Sequence, residues 1–189
     1  MSMINPVRPD EWALIEPQLK GVRTMLELGN KSNEHVGISY KDWFTRICNI
    51  EHISVDINGL DGALALDLRY PLAPIVGRVF DMVTNIGTSE HVIDAQYSVW
   101  KNMWDHLALG GCLVSITPLP GDWGWHGFWY PTEEFYDALA FRNDMAVVEL
   151  GEYGVPPRRC QFLVARKLQH RAFIYPGDDL LYRNVIRKP

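Results

Sequence analysis

Several side chains able to do chemistry fall at the ends of short apolar runs. In residues 22–33, VRTMLELGNKSN, Glu27 stands two positions before Gly29. A glycine there lets the backbone approach a ligand where a Cβ would collide. A carboxylate there can accept hydrogen bonds from hydroxyl or ammonium groups. Asn30, Lys31, Ser32, Asn33 and Glu34 follow as a polar lining. Asp56 closes the run HISVD before Asn58-Gly59. It reads either as an acceptor for paired sugar hydroxyls or as a turn-initiating aspartate. Asp67 closes GALALD, and Asn85 and Gly87 close FDMVTNIG. Two histidines stand out. His126 lies in a glycine-flanked aromatic stretch and is the first candidate for a general base; His91, after Glu90, is the second. For a lone histidine the structural reading is the stronger, and each reads that way too. Glu90 and His91 could begin a metal site, but no third or fourth ligand is evident, so none is expected.

The elements that must position these residues alternate. Residues 9–20 suit a helix with Pro9, Asp10 and Glu11 in its first turn and Gly21 as its stop. A strand ends near Leu28, and a helix follows over 40–50 with Trp43, Phe44 and Ile47 inward. Strands ending at Asp56 and Asp67 come next, too close together for a crossover helix. A buried strand from Phe80 leads into a helix over 92–107, with Tyr97, Trp100, Trp104 and Leu107 on one stripe. Gly110-Gly111 ends that helix, and residues 112–120 form a fifth strand. Residues 145–153 and 160–168 alternate like a hairpin around a proline-stiffened turn. Strand and helix in alternation argue for an α/β fold with a mostly parallel sheet. Right-handed crossovers then bring the strands' carboxyl ends to one rim, where Glu27, Asp56, Asp67 and Asn85 fall.

The series Glu27-Leu28-Gly29, Val55-Asp56, Leu66-Asp67-Leu68, residues 80–83 (FDMV), Glu90-His91-Val92 and Gly110-Gly111 through Ile116 resembles the class I S-adenosylmethionine-dependent methyltransferases. The resemblance covers roughly residues 22–119, and order and spacing carry it. It implies a Rossmann-like, seven-stranded sheet flanked by helices, with an antiparallel hairpin at its C-terminal end. It implies S-adenosyl-L-methionine as cofactor and methyl transfer to an oxygen or nitrogen of a small-molecule acceptor, such as a sugar or hydroxylated metabolite. Matched positions take roles: Glu27 and Gly29 by the methionine part, Asp56 on the ribose, Asp67 and Leu68 at the adenine, Asn85 and Gly87 beneath the methyl; Asn30 counts among the cofactor-binding residues. Lys31 and Asn33 stand where the family's loop has further glycines, so their side chains must point away or the loop must take another path.

The chain's 189 residues, 47% of them hydrophobic, suit one domain spanning 1–189. A net charge of -5 without a basic stripe speaks against nucleic acid. Cys48, Cys112 and Cys160 are odd in number and widely spaced, as in a reducing, cytoplasmic setting. Neither a secretion signal nor a membrane span is read. Residues 121–140 hold Trp123, Trp125, His126, Phe128, Trp129 and Tyr130. This stretch would lie over the methyl-donor pocket as a substrate wall, a contact in a homodimer, or plain packing. The altered glycine loop motivates a second reading: a non-catalytic domain that binds a partner through these aromatics. A nicotinamide-dependent oxidoreductase is disfavoured by the absent phosphate cradle.

Overall fold

The computed structural model describes residues 5–33, 38–124 and 126–184. Glu34 and Gly37 of the first loop, Trp125 of the aromatic stretch and Val185 of the tail lie outside the described residues. The main strands are β1 (Thr24–Leu28), β2 (Glu51–Asp56), β3 (Leu64–Ala65), β4 (Phe80–Ile86), β5 (Leu107–Pro118), β6 (Met145–Tyr153) and β7 (Cys160–Lys167). They form one seven-stranded sheet in the order β3-β2-β1-β4-β5-β7-β6. The pairs from β3 across to β5 are parallel. Strand β7 runs antiparallel to both of its neighbours. The expected Rossmann-like sheet with a C-terminal hairpin is therefore present. Sequence order reverses between β1 and β4, which is where an open α/β sheet leaves a crevice.

The helices are α1 (Pro9–Ile15), α2 (Tyr40–Arg46), α3 (Ala73–Val76), α4 (Gln96–His106) and α5 (Glu133–Arg142). Alternation along each strand sorts side chains into two cores. Leu26, Leu28, Val83 and Leu113 pack with Trp100 and Met103 of α4 and Phe135 and Leu139 of α5. Met25, Met82, Val114 and Ile116 pack with Leu14 and Ile15 of α1 and Trp43 and Phe44 of α2. A fully buried Trp or Phe side chain contributes on the order of 2–3 kcal/mol, so the two layers hold the sheet's rim in place.

Several boundaries differ from expectation. Helix α1 stops at Ile15 and continues as a 3-10 turn over Glu16–Gln18. Helix α2 ends at Arg46, and Ile47 is exposed, because the chain turns away through Asn49 at φ 54°. Helix α4 begins only at Gln96, after Asp94 at φ 56° breaks the preceding turn. Tyr97 leaves the buried stripe and packs on Phe173 and Tyr175 of the tail instead. Gly110 and Gly111 do not end α4. They lie inside β5, where its register with β4 shifts between Phe80 and Met82. The crossover between β2 and β3 is reduced to a 3-10 turn, Leu60–Gly62. Strand β3 is correspondingly only Leu64–Ala65, so Asp67 follows it by two residues rather than ending it. The tail's Leu181–Arg183 pairs antiparallel with Trp129–Pro131, which fixes it over the aromatic stretch.

Candidate functional site

The carboxyl ends of β2, β3 and β4 border a hollow of about 430 Å³. Its wall includes Val55, Asp56 and Ile57 after β2, Leu66 to Arg69 after β3, and Gly87, Thr88, His91, Val92 and Ile93 after β4. That volume falls within the ~300–1,000 Å³ usual for small-molecule sites. The wall is largely aliphatic, with Asp56, Asp67, Arg69 and His91 as its charged or ionisable members.

The structure brings some of the sequence-derived residues to this hollow and turns others away. Asp56 lines it, and its Oδ1 accepts from Asn58 N at 2.9 Å, as a turn-initiating aspartate does. Leu68 lines it, nearly fully buried. Asp67 lines it too, but its carboxylate is engaged by Arg69, whose Nε and Nη2 approach to 2.9 and 2.6 Å. Those hydrogen bonds hold Asp67 below the usual carboxylate range. Gly87, at φ +63°, lines it directly.

Glu27 does not reach the wall. It is buried beneath the loop, where its Oε1 accepts from Lys31 N at 3.0 Å. Its Oε2 lies 3.3 Å from Nε2 of His52, a ring stacked on Phe44. Burial pushes the Glu27 carboxyl up to about 8, against the pull of the Lys31 N–H. Burial also takes His52 down to about 3, so the two meet as neutral groups rather than as an ion pair. Asn85 is likewise withdrawn. Its Nδ2 donates to Ser89 Oγ (2.8 Å) and Ser115 Oγ (3.0 Å), and its Oδ1 accepts from Ser89 N (2.9 Å). Both its donors and one acceptor site are thus spent on the turn after β4 and on neighbouring β5. Asn30 donates to Leu60 O at 2.9 Å, tying the first loop to the short β2–β3 connection.

Gly29 has φ +87°, and its N–H donates to Val55 O at 2.7 Å. A Cβ there would meet Thr88 Oγ1 at 2.2 Å, so β1 and the turn after β4 touch at this glycine. Lys31 does not point away from the site. Its Nζ lies 3.1 Å from where a Cβ on Gly87 would stand.

The two histidines meet. His91 and His126 are 4.6 Å apart between ring centres, edge to face. Glu90 lies beneath them, fully buried, its Oε1 3.9 Å from His91 Nε2 and 3.6 Å from His126 Nε2. Burial lowers His91 below its ordinary value; Glu90 opposes this, and His126 and Lys31 add to it. The third residue of metal-ligand type, not evident in the sequence beside Glu90-His91, is His126, which the fold returns to the pair. The sequence signals were the Glu-His dipeptide and a histidine beside glycines. Their convergence was not legible. Thr88, Arg69 and Ile57 were missed altogether, since nothing in their local pattern marks a cavity wall.

The aromatic stretch is mostly spent inward. Trp123 donates from Nε1 to Arg159 O and packs on the core between the sheet and α1–α2. Trp129 packs on the opposite core, and Tyr130 is fully buried. Thr132 caps α5 by accepting from Phe135 N. Cys48 is half-buried and Cys112 and Cys160 are buried, all as free thiols.

No family model matches the chain, and a search of curated proteins finds no match. Solved structures do match. An O-methyltransferase family protein from Burkholderia thailandensis superposes with a TM-score of 0.59 at 16% identity, over 84% of this chain and 55% of that one. The N-methyltransferase NodS from Bradyrhizobium japonicum, in complex with S-adenosyl-L-homocysteine, gives 0.53 at 14%, over 85% and 86%. An O-methyltransferase from a Brevibacillus brevis multienzyme, also with S-adenosyl-L-homocysteine, gives 0.51 at 11%, over 81% and 71%. The chain therefore has the fold of the class I methyltransferases. Among the described residues, no helix is long and apolar enough to cross a membrane.

Proposed function

We propose that this chain binds S-adenosyl-L-methionine and directs methyl transfer to an oxygen or nitrogen of a small hydroxylated acceptor. The observation that carries this is the hollow at the carboxyl ends of β2–β4, with Asp56 on its wall and Leu68 beside it. An adenosine fits that lining: Asp56 can accept from the two ribose hydroxyls, and Ile57, Leu68 and Val92 offer aliphatic surface for a flat ring. Lys31, beside Gly87, sets an ammonium on the side where the methionine carboxylate would lie, in place of the family's bare glycine backbone. When bound, S-adenosyl-L-methionine supplies an electrophilic methyl: the acceptor's lone pair takes it, the carbon–sulfur pair stays on sulfur, and the acceptor loses a proton.

The chain's own contribution is alignment and exclusion of water. Thr88 packs against Gly29 beside the hollow, and Phe128 N, donating to Glu90 O at 2.6 Å, pins the aromatic stretch to the turn after β4. His91 stands on the hollow's wall with His126 against it, so these two imidazoles are the groups assigned to the acceptor. Calorimetry with S-adenosyl-L-homocysteine is the test. Wild type should bind, and Asp56→Ala should lose binding with an unchanged melting temperature. Absence of heat with either S-adenosyl compound on the wild type would overturn the assignment.

A further inference from the structure

We infer that Glu90, His91 and His126 form a binding site for one divalent transition-metal ion of the zinc class. Their ligand atoms lie within 4.8 Å of one another. Tetrahedral coordination at ~2.1 Å requires ligand atoms ~3.4 Å apart. The Oε1–Nε2 separations of 3.6 and 3.9 Å need only small side-chain movements to reach it.

Glu90 is the stronger part of the case. It is fully buried, and both of its carboxylate oxygens lack a hydrogen-bond partner. A buried carboxylate without donors is expensive unless a cation compensates it. Among the described residues, no lysine or arginine forms an ion pair with it: Lys31 Nζ stands in its neighbourhood, beside Gly87, without pairing, and only the two imidazoles do.

The surrounding chain is arranged to bring the third ligand over this carboxylate. Gly127 packs so closely that a Cβ would stand 2.7 Å from Glu90 Cγ. Phe128 N donates to Glu90 O. From the tail, the Asn184 amide reaches the carbonyls of His126 and Gly127 at 3.1 and 3.3 Å. The loop is thus fastened at His126 and at the two residues after it, well away in sequence from Glu90-His91.

Two imidazole nitrogens and one carboxylate oxygen favour zinc, iron(II), cobalt or nickel over magnesium or calcium, which prefer oxygen. With side chains 47% and 41% exposed, His91 and His126 leave the outer coordination positions open to solvent and to the hollow. Three protein ligands and an open position are the pattern of a reactive rather than a structural site. On the methyl-transfer reading, an acceptor hydroxyl at the open position would be acidified by the ion, which would then replace the imidazoles as the activating group. Metal binding itself does not depend on that reading.

The test uses the full chain, stripped with chelator and without any S-adenosyl compound, so that a failure to bind cofactor cannot mask the result. Zinc titrated by calorimetry should bind at one ion per chain. Cobalt(II) should give visible bands of nitrogen and oxygen ligation with no thiolate charge-transfer band. Glu90→Gln and His126→Ala should each weaken binding by more than the ~10–100-fold that loss of an outer-shell partner brings. If Glu90→Gln does not fold, the partly exposed His126→Ala decides alone. No binding, a thiolate band that points to the cysteines, or affinity unchanged in His126→Ala would overturn the assignment.

Discussion

Replacing Glu27 by Gln should stabilise the protein at neutral pH and have little effect at pH 4.5. Glu27 is fully buried with its carboxyl raised from 4.5 to about 8, chiefly by desolvation. The folded state therefore holds a proton that the unfolded chain releases above pH 4.5. Stability attributable to this group is fully present below the unfolded value and is lost as pH rises through the folded one. Between pH 4.5 and 7 the loss accumulates at about 1.4 kcal/mol per unit, so it reaches about 3 kcal/mol at pH 7. Glutamine avoids that loss and can keep the bond from Lys31 N. Its carbonyl can accept from Lys31 N, and its amide can donate to His52 Nε2, 3.3 Å from the present Oε2. For a chain of this length each kcal/mol moves the melting temperature by roughly 2–4 °C, so the gain at pH 7 should be roughly 6–12 °C. Thermal melts of both proteins by circular dichroism, from pH 4.5 to 8.5, measure it. A gain of equal size at pH 4.5 and 7, or a less stable variant at pH 7, would refute the account of Glu27 as a neutral, desolvated acid.

Two further outcomes are expected. Asn85→Ala leaves Ser89 N and the Ser89 and Ser115 hydroxyls without their amide partner in a fully buried setting, and should cost about 2–4 kcal/mol in denaturant unfolding. A loss under 1 kcal/mol would mean that water replaces the amide. Gly127→Ala should lift the aromatic stretch from Glu90, because φ is +67° and the new Cβ would fall 2.7 Å from Glu90 Cγ. About 2 kcal/mol or more of stability should go, and hydrogen exchange at Phe128 and Asn184 should accelerate. Unchanged exchange at both amides would show that the loop is not held there.

Much of the fold was legible because periodicity and strand-end chemistry are local properties. The buried runs at Met25, Val55 and Val83 name strands wherever they are placed, and Thr132 before two glutamates names a helix start. Where the expectation missed, a backbone detail intervened. Positive φ at Asn49 and Asp94 cut two helices short without any glycine or proline to announce it. Gly110-Gly111 looked like a helix stop, but Leu107 already pairs with Phe80, and tertiary pairing overrode the local signal.

The site divides the same way. Sequence order alone put Asp56, Leu68, Gly87 and His91 near strand ends, and a parallel sheet necessarily gathers such ends on one rim. It could not say which way a polar side chain turns there. Glu27 and Asn85 turn inward because buried backbone donors, Lys31 N and Ser89 N, compete for them. Nor could it bring His126 to Glu90, since that meeting depends on a loop held by Gly127 and by Asn184 from the far end of the chain. One-dimensional order determines which residues can share a rim. Only three-dimensional packing decides which of them face the cavity, because each buried hydrogen-bonding group must first be satisfied by whatever the fold sets beside it.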